Sequence, residues 1–288
     1  MVDKQYLLNS KQMATFVARG FLRFDELVPP EINEAFMGAA QRGDDPLPVA
    51  AAGTPISKVF TEPSSLTSLM QLPQIQGIIH SLVGPDPLLD HHVIHLRQPN
   101  EGGAQYLHCD AIFDPRTTHF DIQLMYFPHR VPYEMGGTLL IPGSHFRRIN
   151  EMEIARYQNM LGQIQMVCGA GSILVLHHGI WHCGRQNQTE HLRRMYKIRL
   201  NPVVQQRRLW NTDDLDESAH AHGPLHSPAT AKDGIQAILS EPEPWFENGT
   251  SRLEIVNRSK LWRYLTGDDD FAAHYWLTRI ENEPTALA

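Results

Sequence analysis

Apolar positions at helical spacing dominate the start of the chain. Ser10 is placed to cap a first helix, and Gly20 is placed to end it. The proline pair 29–30 suits the start of a second helix, and two further amphipathic segments close at Gly84. We therefore predict that residues 1–89 are mainly helical and form a support layer.

The pattern then changes to short β-rich runs separated by turn residues. Many short strands at close spacing favour a sandwich or a barrel. We therefore predict a β core over residues 90–204. The runs are HHVIHLRQ, THFDIQLMYF, GTLLIPG, QIQMV, SILVLHHG and RMYKIRLNPV.

The last segment, 205–288, is predicted to be an ordered helical extension, because large aromatic residues are concentrated there. One helix carries an apolar stripe and ends at Gly267. No linker separates the extension, so 1–288 is read as a single domain. We expect the extension to pack on the β core, over the mouth of a site or at an oligomer contact. The residues that carry this argument are Trp210, Trp245, Trp262 and Trp276, and the stripe Leu253, Val256, Leu261 and Leu265.

The overall charge excludes some partners. The chain has 25 basic and 32 acidic residues, a formal net charge of −7, and no dense basic segment. Binding to nucleic acid needs clustered cations, so no nucleic-acid partner is expected. No apolar run is long enough to span a membrane, and the three cysteines form no disulfide pattern, so we expect a cytoplasmic protein without a membrane partner.

Histidines are where metal chemistry is sought, since the chain has sixteen of them. His108 and Asp110 lie two residues apart, so their side chains share one side of an extended segment. His182 follows at the end of another β-rich run. Two histidines and one carboxylate leave part of a metal's coordination sphere open, as in non-heme Fe(II) oxygenases. By spacing alone, satisfied structural histidines remain the stronger interpretation.

The surrounding sequence resembles the phytanoyl-CoA dioxygenase family of Fe(II)- and 2-oxoglutarate-dependent oxygenases. The resemblance runs from about Lys58 to Pro202. It implies a double-stranded β-helix, or jelly roll, with N-terminal helices packed on one sheet. The blocks that carry it are SKVF, LVGPDPLL, HCD, GGTLLIPGSH and GSILVLHHGIWHCGRQN, followed by an arginine eleven residues past the distal histidine.

The resemblance also implies roles for individual residues. His108, Asp110 and His182 would be the iron ligands. Arg193 would bind the distal carboxylate of 2-oxoglutarate, because a planar guanidinium pairs bidentately with a carboxylate. If the strand register were shifted by one residue, Arg194 would take this role instead.

Three more residues are implied to contact the co-substrate. Lys58 takes the place of a family lysine, Tyr126 stands where the family usually has tryptophan, and Val93 is placed to line the same pocket. Each also has a simpler interpretation. Lys58 fits a solvated surface lysine, and Tyr126 fits a core aromatic residue with its hydroxyl satisfied.

The function implied is oxidation of a small organic molecule by dioxygen, usually hydroxylation, with release of succinate and CO2. Fe(II) and 2-oxoglutarate are the expected cofactors, with ascorbate as a candidate reductant. Asp110 fills the position that related halogenases leave vacant for halide, so hydroxylation is favoured over halogenation. Two alternatives stay open: a non-catalytic jelly-roll binding protein, and a zinc hydrolase with the same three ligands. Substrate identity and oligomeric state are not determined by the sequence.

Overall fold

The structure is a computed structural model, and it describes most of the chain. The described ranges are 2–44, 47–110, 119–147, 151–156, 159–215, 234–247 and 250–280. Parts of the predicted extension, 216–233 and 281–288, therefore lie outside the described residues.

Helices precede and follow the β core, as the apolar pattern predicts. Of the helices within the described residues, five come before the first long strand and three lie in the C-terminal extension. In chain order they are α1 (Ser10–Arg19), α2 (Pro30–Arg42), α3 (Ile56–Val59), α4 (Ser65–Gln71), α5 (Pro73–Val83), α6 (Glu151–Ile154), α7 (Ile235–Ser240), α8 (Thr250–Thr266) and α9 (Tyr275–Ile280).

The N-cap of the first helix lies one residue earlier than the sequence suggests. Asn9 is the N-cap, and its side chain accepts a hydrogen bond from the backbone N–H of Gln12, whose side chain accepts from the Asn9 N–H. Ser10 is buried instead, and its hydroxyl accepts from the indole N–H of Trp210 at 3.0 Å. Gly20 ends the helix in the left-handed conformation, φ 77°.

In the described part of the chain, eight strands form two antiparallel sheets, which together make the jelly roll. The five-stranded sheet has the order β1-β6-β3-β8-β2, and the three-stranded sheet has the order β5-β4-β7. The strands are β1 (Phe21–Phe24), β2 (Leu88–Arg97), β3 (Ile122–Phe127), β4 (Thr138–Leu140), β5 (Ile164–Gln165), β6 (Ser172–His177), β7 (His182–Gly184) and β8 (Arg193–Asn201).

The two faces of the five-stranded sheet have different surroundings. One face packs under the N-terminal helices, and the other faces the three-stranded sheet. Side chains alternate between them, so neighbouring residues of one strand belong to different clusters. Tyr126, Tyr196 and Ile198 join the cluster that contains the helices, whereas Met125 and Met195 join the cluster between the sheets. We call these the helix-facing side and the interior side.

The described part of the extension packs on α1, since α7 and α8 both contact that helix. Trp262 is fully buried, and its ring centroid lies 5.7 Å from that of Trp210. Trp245 lies 5.9 Å from Trp181, and its indole N–H donates to the Pro142 carbonyl at 2.7 Å. These contacts tie the extension to the helical layer and to the turn after β4.

The predicted apolar stripe of α8 is correct at three positions and wrong at one. Val256, Leu261 and Leu265 are buried, but Leu253 is 60% exposed. The helix therefore buries a narrower face than the stripe suggests. Among the described residues, no helix is long and apolar enough to cross a lipid bilayer.

Candidate metal centre

Backbone pairing brings the two predicted histidine ligands together. His108 and His182 form an isolated antiparallel bridge beyond the three-stranded sheet, with N–H to carbonyl distances of 3.0 and 2.8 Å. Residues directly opposite in an antiparallel pair have side chains on the same side. The two imidazole centroids accordingly lie 4.7 Å apart.

Asp110 completes the group two residues after His108. Its Oδ1 lies 3.6 Å from His108 Nε2, and its Oδ2 lies 3.8 Å from His182 Nε2. One ligand atom from each of the three residues lies within 4.8 Å of the others, and no other His, Cys, Asp and Glu group of the described residues does this. The predicted triad is therefore assembled in the fold.

Both histidines are oriented by backbone carbonyls. His108 Nδ1 lies 2.8 Å from the Tyr106 carbonyl, and His182 Nδ1 lies 3.0 Å from the Ile180 carbonyl. A carbonyl can only accept, so each Nδ1 carries the proton and each Nε2 keeps its lone pair. Carbonyls that fix the tautomer in this way are common behind metal-binding histidines.

The electrostatics of the triad also suit a cation. Burial lowers the pKa of His182 to about 4, so this ring is neutral near pH 7. Burial alone would raise the pKa of Asp110, but the nearby imidazoles of His108 and His182 and the charge of Lys197 hold that pKa well below its usual range. At neutral pH the triad therefore offers a neutral His182 ring and a charged carboxylate, the ligand states that a metal requires.

Lys197 was missed by the sequence analysis, although it touches the triad. Its Nζ donates to Asp110 Oδ2 at 2.9 Å, and only 9% of its side chain is exposed. It lies on β8 four residues after Arg193, and a strand places such residues on one face. Because side chains alternate between the two faces of a strand, the position of Arg193 could have predicted that Lys197 faces the same side.

Arg193 lies on the interior side of β8 and is 3% exposed. Its Nη1 donates to the Gly136 carbonyl and lies 3.4 Å from the Met135 carbonyl, while its Nε is buried without a partner. Burial, and next the charge of Arg97, lowers the pKa of Arg193 to about 10, against the opposing charge of Glu101. Arg193 thus has no carboxylate partner among these contacts.

The neighbouring arginine has a different environment. Arg194 is cross-strand partner to Leu96, which is 50% exposed, and its backbone N–H donates to His129 Nε2. The register therefore turns Arg193, and not Arg194, towards the interior side.

Three further residues were expected to contact the co-substrate: Lys58, Tyr126 and Val93. Of these three, the fold brings Val93 to the interior side. Val93 is the cross-strand partner of Lys197, so it shares the face that carries the triad's neighbours. Lys58 is exposed on α3, and none of the hydrogen bonds or ion pairs of the described residues joins it to the triad.

Tyr126 lies on the opposite face of the sheet. It is fully buried on the helix-facing side, where its hydroxyl donates to Asn33 Oδ1 at 2.6 Å and its ring meets Phe36 edge-on. This placement corrects the expected co-substrate contact and supports the simpler interpretation, a core aromatic residue with a satisfied hydroxyl.

His95 is a second interior residue that the sequence analysis did not assign to the site. It is the cross-strand partner of Met195, which precedes Lys197 on the same face of β8. Burial and the charge of Lys197 lower its pKa to about 4, while Asp110 opposes the shift. A neutral imidazole therefore lies beside the triad without belonging to it.

A jelly roll with two histidines and one aspartate at one point has the ligand set of the non-heme Fe(II) oxygenases. The sequence places the chain within that class. It belongs to the phytanoyl-CoA dioxygenase (PhyH) family, whose family model matches residues 16–195. No curated protein matches the chain by sequence.

Solved structures share the fold at low sequence identity. HygX from Streptomyces hygroscopicus, solved with iron bound, is 16% identical with a TM-score of 0.53, over 69% of this chain and 88% of its own. EctD from S. alaskensis, solved with 2-oxoglutarate and 5-hydroxyectoine, is 16% identical with a TM-score of 0.53, over 68% and 77%. SnoK, a non-heme alpha-ketoglutarate-dependent carbocyclase from nogalamycin biosynthesis, is 16% identical with a TM-score of 0.53, over 70% and 87%. At such identities the likeness supports the jelly-roll fold.

Proposed function

We propose that this protein is an Fe(II)- and 2-oxoglutarate-dependent oxygenase that hydroxylates a small organic molecule and releases succinate and CO2. The observation that carries the proposal is the convergence of His108, Asp110 and His182 in one group, with Arg193 buried on the interior side of the adjacent sheet. Membership of the phytanoyl-CoA dioxygenase family supports the same activity.

The residues fit an Fe(II) ion. Two imidazoles and one carboxylate are the ligand set of facial-triad iron sites, which keep coordination positions open for other ligands. The Nδ1 contacts to the Tyr106 and Ile180 carbonyls leave both Nε2 atoms available. Lys197 donates to Oδ2 of Asp110, so the carboxylate is held in position before a metal arrives.

The residues also fit 2-oxoglutarate. Arg193 is a buried cation with no carboxylate partner among its described contacts, and its fork geometry suits the distal carboxylate of the co-substrate. Val93 lies on the same side of the sheet, where it would provide an apolar wall. EctD was solved with 2-oxoglutarate and HygX with iron, which supports the same pair of cofactors here.

The protein's own part in the reaction is positioning and exclusion of water. When bound, Fe(II) and 2-oxoglutarate together supply the oxidising chemistry, with dioxygen as the oxidant and ascorbate as a candidate external reductant. His108, Asp110 and His182 would hold the metal, and Arg193 would bind and orient the co-substrate. The apolar residues of the interior cluster, Met125 and Met195 among them, keep bulk water from that side.

Hydroxylation is the preferred outcome over halogenation, because Asp110 occupies the position that halide would need. The fold also accommodates ring formation, since SnoK is a carbocyclase with this architecture. Product analysis therefore has to test for desaturated and cyclised products beside the hydroxylated one.

The deciding experiment is anaerobic addition of Fe(II) and then 2-oxoglutarate to the apoprotein. We expect a visible metal-to-ligand charge-transfer band that requires both additions. Dioxygen should then give slow succinate release even without substrate. The matched control is His182→Ala, which should give neither signal. Tight Zn(II) binding with no band after Fe(II) and 2-oxoglutarate would favour the hydrolase instead.

A further inference from the structure

A second guanidinium faces Arg193 across the sheet. Arg97 is the cross-strand partner of Arg193 in the β2–β8 pairing, so both side chains are on the same face. Like charges placed directly opposite in a sheet repel each other, and an anion between them relieves this repulsion. The pairing therefore predicts an anionic ligand at this end of the interior side.

Both guanidiniums converge on the space beside Gly184. A Cβ added at Gly184 would lie 3.2 Å from Arg97 Nη2 and 3.6 Å from Arg193 Nη2. It would also lie 2.9 Å from Gln105 Oε1, which accepts the Gly184 backbone N–H. A side chain at this position would collide with Gln105 Oε1 and crowd both cations, so glycine lets the two guanidiniums approach one point.

Among the described residues, one carboxylate makes an ion pair with either guanidinium, and it belongs to Glu101. Glu101 Oε1 accepts from Arg97 Nη1 at 2.6 Å, and Glu101 Oε2 accepts from the Gln98 backbone N–H at 2.6 Å. The side chain of Glu101 is 31% exposed, whereas Arg97 is 16% exposed. Arg193 donates to backbone carbonyls instead. Two cations and one anion leave one positive charge, which one further carboxylate would balance.

Resting on the proposed function, we propose that Arg97 binds the distal carboxylate of 2-oxoglutarate together with Arg193, and that Glu101 competes with the co-substrate for Arg97. Arg97 is thereby a binding residue of the co-substrate subsite. Glu101 opposes binding, because its carboxylate must share a guanidinium that would otherwise be free.

The test is calorimetric titration of 2-oxoglutarate into the metal-loaded protein under anaerobic conditions. For Arg97→Gln we expect the Kd for 2-oxoglutarate to rise at least about tenfold, because a charge-assisted contact is lost. For Glu101→Gln we expect the opposite sign, a Kd about threefold lower or more, because a competing charge is removed. Metal affinity, measured separately, should not change in either variant.

Two controls make the result specific to the distal carboxylate. Arg194→Gln removes an arginine from the other face and should leave the Kd unchanged. The probe 2-oxopentanoate has the same chain length without the distal carboxylate, so Arg97→Gln should not weaken its binding. Arg97→Lys keeps the charge but loses the fork, and it should recover part of the 2-oxoglutarate affinity.

The outcomes separate this proposal from the proposed function. If the metal-loaded wild type binds no 2-oxoglutarate, the proposed function fails. If the wild type binds it, while Arg97→Gln and Glu101→Gln both stay within about twofold of its Kd, the Arg97 role is overturned and the function stands. Should Arg97→Gln fold poorly, the sign of the Glu101→Gln effect alone decides.

Discussion

The two faces of β8 use the same strand for different purposes. Tyr196 and Ile198 point to the helix-facing side and are fully buried in the main hydrophobic cluster. Lys197, between them, points to the interior side and contacts Asp110. The helix-facing residues hold the helical layer on the sheet, whereas the interior residues provide charge beside the metal centre.

The difference shows why register matters more than composition in this strand. A shift of one residue would bury the charges of Arg193 and Lys197 under the helices and turn Tyr196 towards the triad. Stability and chemistry therefore depend on the same alternation. Substitutions on one face should affect folding alone, and substitutions on the other should affect binding alone.

The largest effect is expected at the triad. Alanine at His108, Asp110 or His182 removes one of three protein ligands, so metal affinity should fall by more than about 100-fold and succinate release should be lost. Equilibrium dialysis with Fe(II) measures the first effect, and far-UV circular dichroism checks that the fold persists. If a variant keeps the wild-type metal stoichiometry and turnover, the replaced residue is not a ligand of the metal.

Ile198→Ala tests the helix-facing side. The side chain is fully buried, so its truncation should lower the free energy of unfolding by about 2–5 kcal/mol. Affinity of the surviving folded protein for 2-oxoglutarate should not change. Urea denaturation and titration of the folded variant give the two numbers. A large loss of 2-oxoglutarate affinity without a loss of stability would break the division between the faces.

Arg193→Ala is the corresponding change on the interior side. We expect 2-oxoglutarate binding to weaken by about 1.5–3 kcal/mol, with the metal retained, because a charge-assisted pair is lost. Arg194→Ala is the matched control and should bind the co-substrate normally. The charge-transfer band, titrated anaerobically, reports the affinity. A large effect from Arg194→Ala and none from Arg193→Ala would mean that the register is shifted by one residue.

The smallest effect is expected for Tyr126→Phe. Loss of the hydroxyl leaves Asn33 Oδ1 without its donor, which should cost about 1–2 kcal/mol of stability. The Kd for 2-oxoglutarate should stay at the wild-type value, because the ring lies on the helix-facing side. Thermal denaturation and co-substrate titration are the measurements. If Tyr126→Phe binds the co-substrate more weakly, Tyr126 contributes to the co-substrate site after all.

Much of the architecture follows from local signals in the sequence. The proline pair 29–30 starts α2, and Gly20 and Gly84 follow α1 and α5, because these residues satisfy backbone requirements that hold wherever they occur. The triad was predictable too, but only through the family resemblance, since spacing cannot bring His182 to His108. That approach depends on the bridge between two distant segments.

The sequence could not supply the phase of each strand, that is, which face of the sheet each side chain occupies. Tyr126 was expected at the site because the family usually has tryptophan at its position, but a family position alone does not fix which face of the strand a side chain takes. Within one strand the phase is fixed, so Lys197 could have been predicted from Arg193. The prediction that Leu253 is buried was wrong for a related reason. An apolar stripe shows which side of a helix faces the core, but the neighbouring helices determine how wide a face is covered.

The contact between Lys197 and Asp110 has a consequence for the order in which the centre fills. Empty, the pair is electrically neutral. Under the proposed function, a divalent metal alone would add two uncompensated positive charges to a buried region, which is costly. Dianionic 2-oxoglutarate offsets part of this added charge, so each ligand should raise the affinity of the other by the same factor. A buried lysine at this point thereby favours the centre in two states, empty or fully assembled.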